Sequence, residues 1–490
     1  MPSPSPAPGN PRGLSALAAR IDANQELVVG ATYVVALFVT ILDSTIVNVA
    51  LPAMAAEFRV SPASIGWVVV GYLVSMAVWI PASGWIGDRL GTKRIFLLAL
   101  GLFTVASMLC GLSGSLEQLI LFRALQGGAA GMVSPVGTAM LFRAFPPERR
   151  AKIAGLLIVP TSLAPALGPL LGGILVDRLS WHWIFWINAP IGVVAVLFGI
   201  RFLHEYREPG DRRFDIPGFI LSAAGLSLTL YALTEGSRHG WGSPAVLASG
   251  GIGLASLVAL VFVELRTPEP LLNLRLLGER LFGISNLASF WSWSAYLGWL
   301  FLLPLYLQQV RQVGPAESGL TTFVEAVGVL AASRVVGRLY PIVGPRRLVA
   351  AGSAWIGLAL LVATQLSDTT DTGLTRLLVF MSGWGMAGVL LPMNTAMFAR
   401  ISKADTGHAS AIFNTQRRSA AAFGVAAMAT ILTSLTPTLA AGDTPLAGAV
   451  LLPAFRVAFL VGAAFAAIGA VIALRIHDAD AAATMHRRQA

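Results

Sequence analysis

Charged residues are scarce in this sequence. Only 12% of its 490 residues are Asp, Glu, Lys or Arg, whereas soluble proteins carry about 25%. Hydrophobic residues make up 56% of the chain, and the mean hydropathy is +0.73. Together these values exclude an ordinary soluble domain and indicate a membrane protein.

The residues that build metal, redox and nucleotide sites are also rare. Cys110 is the single cysteine, so no disulfide can form within the chain. The six histidines have no metal-ligand spacing, and no GxxxxGK[ST] phosphate-binding sequence occurs. We therefore predict no metal, no cofactor and no enzymatic activity. Residues 1–27 lack the apolar core of a signal peptide and are predicted to be a disordered cytoplasmic tail.

Apolar segments of about 20 residues, the length that crosses a bilayer as one helix, recur along the chain. We predict an all-α membrane protein with fourteen transmembrane helices. The predicted spans are residues 28–51, 64–86, 95–113, 117–142, 152–176, 182–203, 216–235, 244–265, 281–308, 317–340, 348–366, 375–399, 409–433 and 453–475. An even number of spans places both termini on the same side of the membrane.

The basic residues indicate which side that is. With both termini in the cytoplasm, 24 of the 34 Lys and Arg residues fall on the cytoplasmic side and five fall in outer loops. Such a bias is the positive-inside signal. We therefore predict a multi-pass protein of the cell membrane. The net charge of +10 is interpreted as a topology signal, not as a nucleic-acid-binding surface.

A short internal repeat divides the chain. GWIGDRLGTKR at 84–94 and GRLYPIVGPRR at 337–347 match at four positions, each 253 residues apart. A parallel repeat is a transporter architecture, with the substrate site between the halves. We predict a tail at 1–27, a six-helix bundle at 28–203, two inserted central helices with linkers at 204–270, a second, pseudo-symmetric six-helix bundle at 271–476 and a cytoplasmic tail at 477–490.

Asp43 lies inside span 1, where an ionised carboxylate costs about 2.5–3.5 kcal/mol and is normally functional. Arg123 in span 4 and Glu325 in span 10 lie at a similar depth, so Asp43 and Arg123 can pair if their helices adjoin. We predict a proton-coupling or cation-binding role for Asp43; a helix–helix hydrogen bond is the alternative. Glu325 is predicted to be a second protonatable site, or else a Glu that reaches the outer interface or pairs with another helix.

Four motifs resemble those of the major facilitator superfamily, and specifically its fourteen-helix drug:proton antiporter branch (EmrB/QacA type). They are LDSTIVNVALP at 42–52, GWIGDRLGTKR at 84–94, LFRALQGGAAG at 121–131 and APALGPLLGG at 164–173. The resemblance implies a latch on one conformational state, formed by Gly84, Asp88, Arg89, Gly91, Lys93 and Arg94. The second copy of this motif has Pro341 in place of Asp88, so only the first half can supply that carboxylate.

The motif in span 5 is associated in this family with antiport. Gly168 and Pro169 are predicted to kink the helix, and Gly172 and Gly173 to permit close helix packing. Ala164 stands where the family usually has its first glycine. The motif favours export over import.

Polar and aromatic side chains within the spans are candidates for lining a substrate cavity. They are Asn48, Gln126, Trp291, Trp293, Tyr296, Trp299 and Asn414. The aromatic residues of span 9 begin about ten residues into the span, away from the interfacial belt, and such Trp residues can stack on cationic amphiphiles. Packing against lipid is an equally supported interpretation.

We predict a monomeric, proton-coupled antiporter that exports amphiphilic drugs or toxic compounds by alternating access, with cationic substrates favoured. Such multidrug efflux would confer antibiotic resistance. Its partners would be protons, small amphiphilic substrates and the lipid bilayer. The nearest alternative is an exporter dedicated to one metabolite, lipid or self-made antibiotic. A proton symporter for uptake is less favoured, and a receptor or enzyme would need soluble domains or a catalytic constellation that the sequence lacks.

Overall fold

A computed structural model of the protein describes residues 24–60, 62–145, 149, 157, 163–165, 167–168, 171–207, 214–435 and 448–485. Most of the predicted tail 1–27, most of span 5 and Pro169 lie outside the described residues. Every regular element within the described ranges is a helix.

The helices are numbered in chain order. They are α1 (Gln25–Phe58), α2 (Trp67–Leu90), α3 (Thr92–Cys110), α4 (Leu116–Ala144), α5 (171–178), α6 (Asn188–Phe202), α7 (Ile216–His239), α8 (Pro244–Arg266), α9 (Arg280–Leu305), α10 (Pro315–Val343), α11 (Pro345–Ala363), α12 (Thr372–Ala396), α13 (Thr406–Leu435) and α14 (Gly448–Ala473). Short helical turns at Pro62–Ile65, Trp183–Trp186, Leu274–Gly278, Tyr306–Val310 and Asp478–Thr484 complete the set.

Twelve helices in the described part of the chain are long and apolar enough to cross a membrane. Two predicted spans are not among them. Span 5 is described only in part, as α5, and span 9 is the 26-residue helix α9, whose many Ser and Trp residues lower its hydropathy. The chain is thus an all-helical, multi-pass membrane protein. The total of fourteen spans and the side of the termini stay predictions.

The helices pack as two bundles. In the first, α4 packs on α1, α2 and α3, and α6 packs on α1 and α3. In the second, α12 packs on α10 and α11, and α14 packs on α9 and α11. Helix α13 packs on α9 but also contacts α2 and α4 of the first bundle. Helix α7 packs on α8, α2 and α13, so the inserted pair contacts both halves.

The repeated motif has the same backbone geometry in both halves. Gly91 has φ 105° and Gly344 has φ 83°, a region that glycine adopts without steric cost, and each precedes a helix of 19 residues. Each helix start is capped by a carboxylate from the chain that follows the last helix of its own half. Glu205 accepts the backbone N–H of Lys93 at 2.9 Å, and Asp478 accepts that of Arg346 at 2.9 Å. We call these contacts the paired caps.

Charged contacts join the ends of several helices at one face of the bundle. Arg143 bonds Asp88 at 2.7 Å and the carbonyl of Lys403 at 3.3 Å, and Arg400 bonds Asp480 at 2.8 Å. The second of the paired caps lies at this face as well, because Asp478 and Asp480 belong to one short helix. The first cap lies there because it directly follows the end of α2 that carries Asp88. We call it the basic face.

Candidate functional site

Asp43 lies at the centre of a hydrogen-bond network inside the first bundle. Arg123 donates to its Oδ2 at 2.6 Å, and Gln126 and Asn188 donate to its Oδ1 at 2.8 and 3.1 Å. All four side chains are at most 1% exposed. Helices α1, α4 and α6 thus converge on one carboxylate, whose charge the guanidinium balances and whose two oxygens are both occupied.

A second layer of contacts holds these donors in place. Arg123 also donates to the side-chain amide oxygen (Oε1) of Gln126 at 2.7 Å, and its guanidinium lies 4.1 Å from the centroid of the Tyr72 ring. Asn188 donates to the Ser107 hydroxyl at 3.1 Å. The buried network therefore orients Arg123 and Asn188 from more than one side, as a buried ion pair requires.

The glycines of the 121–131 motif explain how α2 and α4 come close enough to build this site. A Cβ at Gly127 would collide with the backbone of Tyr72, and one at Gly131 would lie 2.6 Å from the Met76 carbonyl oxygen. Only glycine permits this backbone separation. Small residues at membrane helix interfaces allow such close packing.

The described glycines of the span 5 motif differ in their surroundings. A Cβ at Gly168 would collide with Thr45, and one at Gly172 would lie 3.0 Å from Ile46, both on α1. Gly173 faces open space. Gly168 and Gly172 therefore bring the span 5 helix against the segment of α1 that follows Asp43.

Glu325 on α10 occupies a different setting in the second bundle. It is 5% exposed, and the Tyr296 phenol of α9 hydrogen-bonds its carboxyl group. Its Oε1 has no hydrogen-bond partner, and no cation forms an ion pair with it, among the described residues. Glu325 thus carries one neutral donor where Asp43 has a cation and two amides.

The two settings are related by the repeat. Asp43 and Tyr296 are 253 residues apart, and so are Tyr72 and Glu325. The acid lies on the first helix of the first half but on the second helix of the second half, with the phenol at the other position. Tyr72 and Asp43 are close enough to interact electrostatically, as are Tyr296 and Glu325. This exchange of acid and phenol was not predicted from the sequence, although the 253-residue offset of the repeat relates the four positions.

The other predicted cavity residues are distributed over several places. Asn414 of α13 accepts a hydrogen bond from Ser134 of α4 at 2.9 Å, which joins the two halves. Trp293 lies 5.4 Å from the Arg417 guanidinium. The Trp299 indole donates to Ser382 at 3.0 Å within the second bundle.

Two of the predicted cavity residues, Trp291 and Asn48, lie apart from both buried acids. Trp291 packs on Phe423 and Phe465, with ring centroids 6.0 and 5.3 Å away. Asn48 is exposed on α1, and its amide lies 3.5 Å from the Ser44 carbonyl oxygen of the same helix. The structure brings neither of them to Asp43 or to Glu325.

The predicted latch residues lie where the halves meet at the basic face. The Asp88 carboxylate packs against Gly407, in the first turn of α13, and a Cβ at Gly84 would lie 2.6 Å from the Gly407 carbonyl oxygen. The cation that pairs with Asp88 is Arg143 of α4. Gly91 and Lys93 instead take part in the first of the paired caps. Arg94 does so too, since its backbone N–H donates to Glu205 at 3.2 Å.

Arg89 lies in the last turn of α2, beside Asp88. Arg143, Tyr72, Asn188 and Glu205 were not predicted as members of these sites. Arg143, Tyr72 and Glu205 lie outside the stretches that carry the family resemblance, and all four reach their partners only through tertiary packing. A basic residue at the end of α4, 20 positions after Arg123, was the one available signal for Arg143.

Two helical bundles that enclose buried charges are an arrangement that membrane transporters use. Comparison with known proteins gives the family: residues 33–425 match the model of the Major Facilitator Superfamily, and the chain belongs to it. The match and the transporter names of its relatives identify a transporter and not an enzyme.

Two curated relatives and one solved structure illustrate the similarity. The chain is 31% identical to "Uncharacterized MFS-type transporter YhcA" of Bacillus subtilis, over 82% of this chain and 75% of the relative. It is 35% identical to "Putative multidrug resistance protein MdtD" of Salmonella paratyphi A, over 73% and 76%. The human organic anion transporter MFSD10 (TETRAN) shares the fold, with a TM-score of 0.66 at 16% identity, over 91% of this chain and 99% of the other.

Proposed function

We propose that this protein is a proton-coupled antiporter of the fourteen-helix drug:proton branch, which exports amphiphilic compounds across the cell membrane by alternating access. In this proposal the basic face is cytoplasmic, both termini lie there, and one chain forms a complete pathway as a monomer. The relatives named for multidrug resistance support export of foreign compounds as the working role.

The observation that carries the proposal is the fully buried carboxylate Asp43 within a membrane-spanning helix. Desolvating a charge is costly unless partners compensate it, so such a residue is retained for a function. A proton arriving at Asp43 would weaken its bond to Arg123 and release a side chain that links α1 to α4. Protonation of the Asp43 carboxylate would thereby change the packing of α1 against α4.

Glu325 supplies the second protonatable group in this proposal. No described cation balances its charge, so a proton at Glu325 removes an uncompensated charge from the second bundle. Each proton that moves inward down the membrane potential contributes about 2.3 kcal/mol per 100 mV, which can drive substrate outward. The halves are joined at the basic face through Asp88, which packs on Gly407, and deeper between the bundles through the Ser134–Asn414 bond.

The test is transport by purified protein in liposomes with an imposed proton gradient. We expect gradient-driven flux of fluorescent amphiphiles, loss of coupling in Asp43→Asn and Glu325→Gln, and normal coupling in Glu317→Gln, whose side chain is half exposed at the start of α10. Flux that ignores the gradient, or full coupling by Asp43→Asn, would refute the proposal. Flux of a single chemical class across a panel would instead support the dedicated exporter.

A further inference from the structure

Two adjacent arginines lie deep in the membrane on α13, between the halves. Arg417 and Arg418 follow the start of this helix by 11 and 12 residues, which is about 17 Å along its axis. They lie one turn beyond Asn414, whose bond to Ser134 joins α13 to α4. They therefore lie next to the contact between the bundles, with part of each side chain exposed.

Aromatic side chains surround the two guanidinium groups. Arg417 lies 5.4 Å from the ring centroid of Trp293 and 5.7 Å from that of Phe413. Arg418 interacts electrostatically with the phenols of Tyr72 and Tyr33, which belong to the first half. The Tyr72 hydroxyl is buried and has no hydrogen-bond partner among the described residues.

No described carboxylate lies within ion-pair distance of either arginine. The sequence between residues 150 and 170, most of it outside the described ranges, contains no Asp or Glu that could pair with them. An unpaired charge deep in a membrane is costly and normally faces a cavity or a ligand. Arg417 and Arg418 thus have no carboxylate partner among the described residues.

The two deep carboxylates show the opposite pattern. Asp43 is fully buried and already balanced by Arg123, and Glu325 is 5% exposed. A compound in the space between the halves therefore meets two accessible cations, while both acids are shielded from it. The sequence favoured cationic substrates because it showed two deep acids but not their burial.

We propose that the transport site takes amphiphilic organic anions, with an aromatic body and a carboxylate or sulfonate group that Arg417 and Arg418 bind. This inference rests on the proposed function and names its substrate class. A guanidinium pairs bidentately with a carboxylate, and the partly exposed ring of Trp293 offers stacking surface for an aromatic body.

The test uses two pyrene amphiphiles whose head groups carry opposite charges: pyrenebutyrate, an anion, and pyrenebutyl-trimethylammonium, a cation. Binding of each is measured by pyrene fluorescence with the full chain in lipid nanodiscs, and empty nanodiscs correct for partitioning. We expect the anion to bind more tightly. Arg417→Gln and Arg418→Gln should each weaken anion binding about tenfold or more, as the loss of a charge-assisted hydrogen bond does.

Matched variants separate charge from folding. Arg417→Lys and Arg418→Lys keep the positive charge and should keep most of the anion preference. Arg266→Gln, at the exposed end of α8, removes an arginine outside the site and should bind both compounds as the unmodified protein does. Tighter binding of the cation, or anion binding that the two Gln variants leave unchanged, would overturn the inference.

Proton-driven flux of the same two compounds distinguishes this inference from the proposed function. If the gradient drives the cation and not the anion, the anion site is wrong and the antiporter proposal stands. If the anion binds in an arginine-dependent manner but the gradient drives neither compound, the anion site stands and proton-coupled export is wrong.

Discussion

The two halves of the molecule place the same pair of residue types at equivalent positions in opposite order. In the first half the acid is Asp43 on α1 and the phenol is Tyr72 on α2; in the second the phenol is Tyr296 on α9 and the acid is Glu325 on α10. Only the first half adds a cation, because Arg123 reaches Asp43. Its equivalent 253 residues later, Arg376, lies 4.0 Å from Glu317 instead.

This difference shows how one architecture gives two carboxylates different properties. Asp43 is fixed by three donors, so a change in its charge must disturb the packing of α1, α4 and α6. In the proposed function Glu325 would gain or lose a proton with less rearrangement, because its polar neighbour is the neutral Tyr296 phenol. The first half would then hold the acid that links protonation to structure, and the second half the acid that exchanges protons more readily.

The largest expected effect comes from removing the cation of the first half. Arg123→Gln leaves Asp43 buried without a balancing charge, and we expect it to lose about 3–5 kcal/mol of unfolding free energy. Arg376→Gln, the equivalent change in the second half, should cost about 0–1 kcal/mol because its pair is partly exposed. Unfolding in detergent measures both. The double variant Asp43→Asn/Arg123→Gln should recover part of the lost unfolding free energy. Equal losses for Arg123→Gln and Arg376→Gln would contradict the difference between the halves.

A smaller effect is expected at the latch, which the second half lacks because Pro341 occupies the position equivalent to Asp88. Asp88→Asn weakens a nearly buried pair with Arg143, so we expect the joined state to lose about 1.5–3 kcal/mol relative to the open one. Spin labels on the exposed side chains of Leu90 and Lys403, in a Cys110→Ala background, should then report longer distances across the basic face.

A double-mutant cycle provides the control for the latch. Arg143→Gln should give a similar shift, and combining it with Asp88→Asn should add little, since both remove one interaction. Additive shifts would show that Asp88 acts through another contact, such as its packing against Gly407.

The smallest effects are expected at the paired caps. Glu205→Gln and Asp478→Asn each weaken a charged acceptor at a helix N-terminus, worth about 0.5–1 kcal/mol. Glu205 should cost slightly more, because it accepts two backbone N–H groups from the start of α3, whereas Asp478 accepts one from the start of α11. Hydrogen exchange in the first turns of α3 and α11 should rise only in the half that carries the change. Asp368→Asn, an exposed acid outside the caps, is the control.

The sequence predicted a large part of this arrangement, and the reasons differ by residue. Hydropathy and the repeat predicted the multi-pass helical fold, and helix depth allowed a pair between Asp43 and Arg123 on the condition that their helices adjoin. Asn188 and Tyr72 could not be predicted as partners, since a polar residue in an apolar segment does not reveal which helix it faces. The prediction of cationic substrates used only the presence of two acids within the spans. The exposure of Arg417 and the burial of Glu325 depend on tertiary packing, which the sequence does not reveal.

The paired caps also bear on how the chain is made. Glu205 closes the first cap, so the first half contains every residue that this contact needs once about 205 residues have been synthesised. The second cap requires Asp478, near the end of the chain. Because domains generally fold in order of synthesis, the first bundle can complete its capped helix start before the second bundle has entered the membrane. Each half thus completes its own capped helix start, and the cap of the first half can form without the cap of the second.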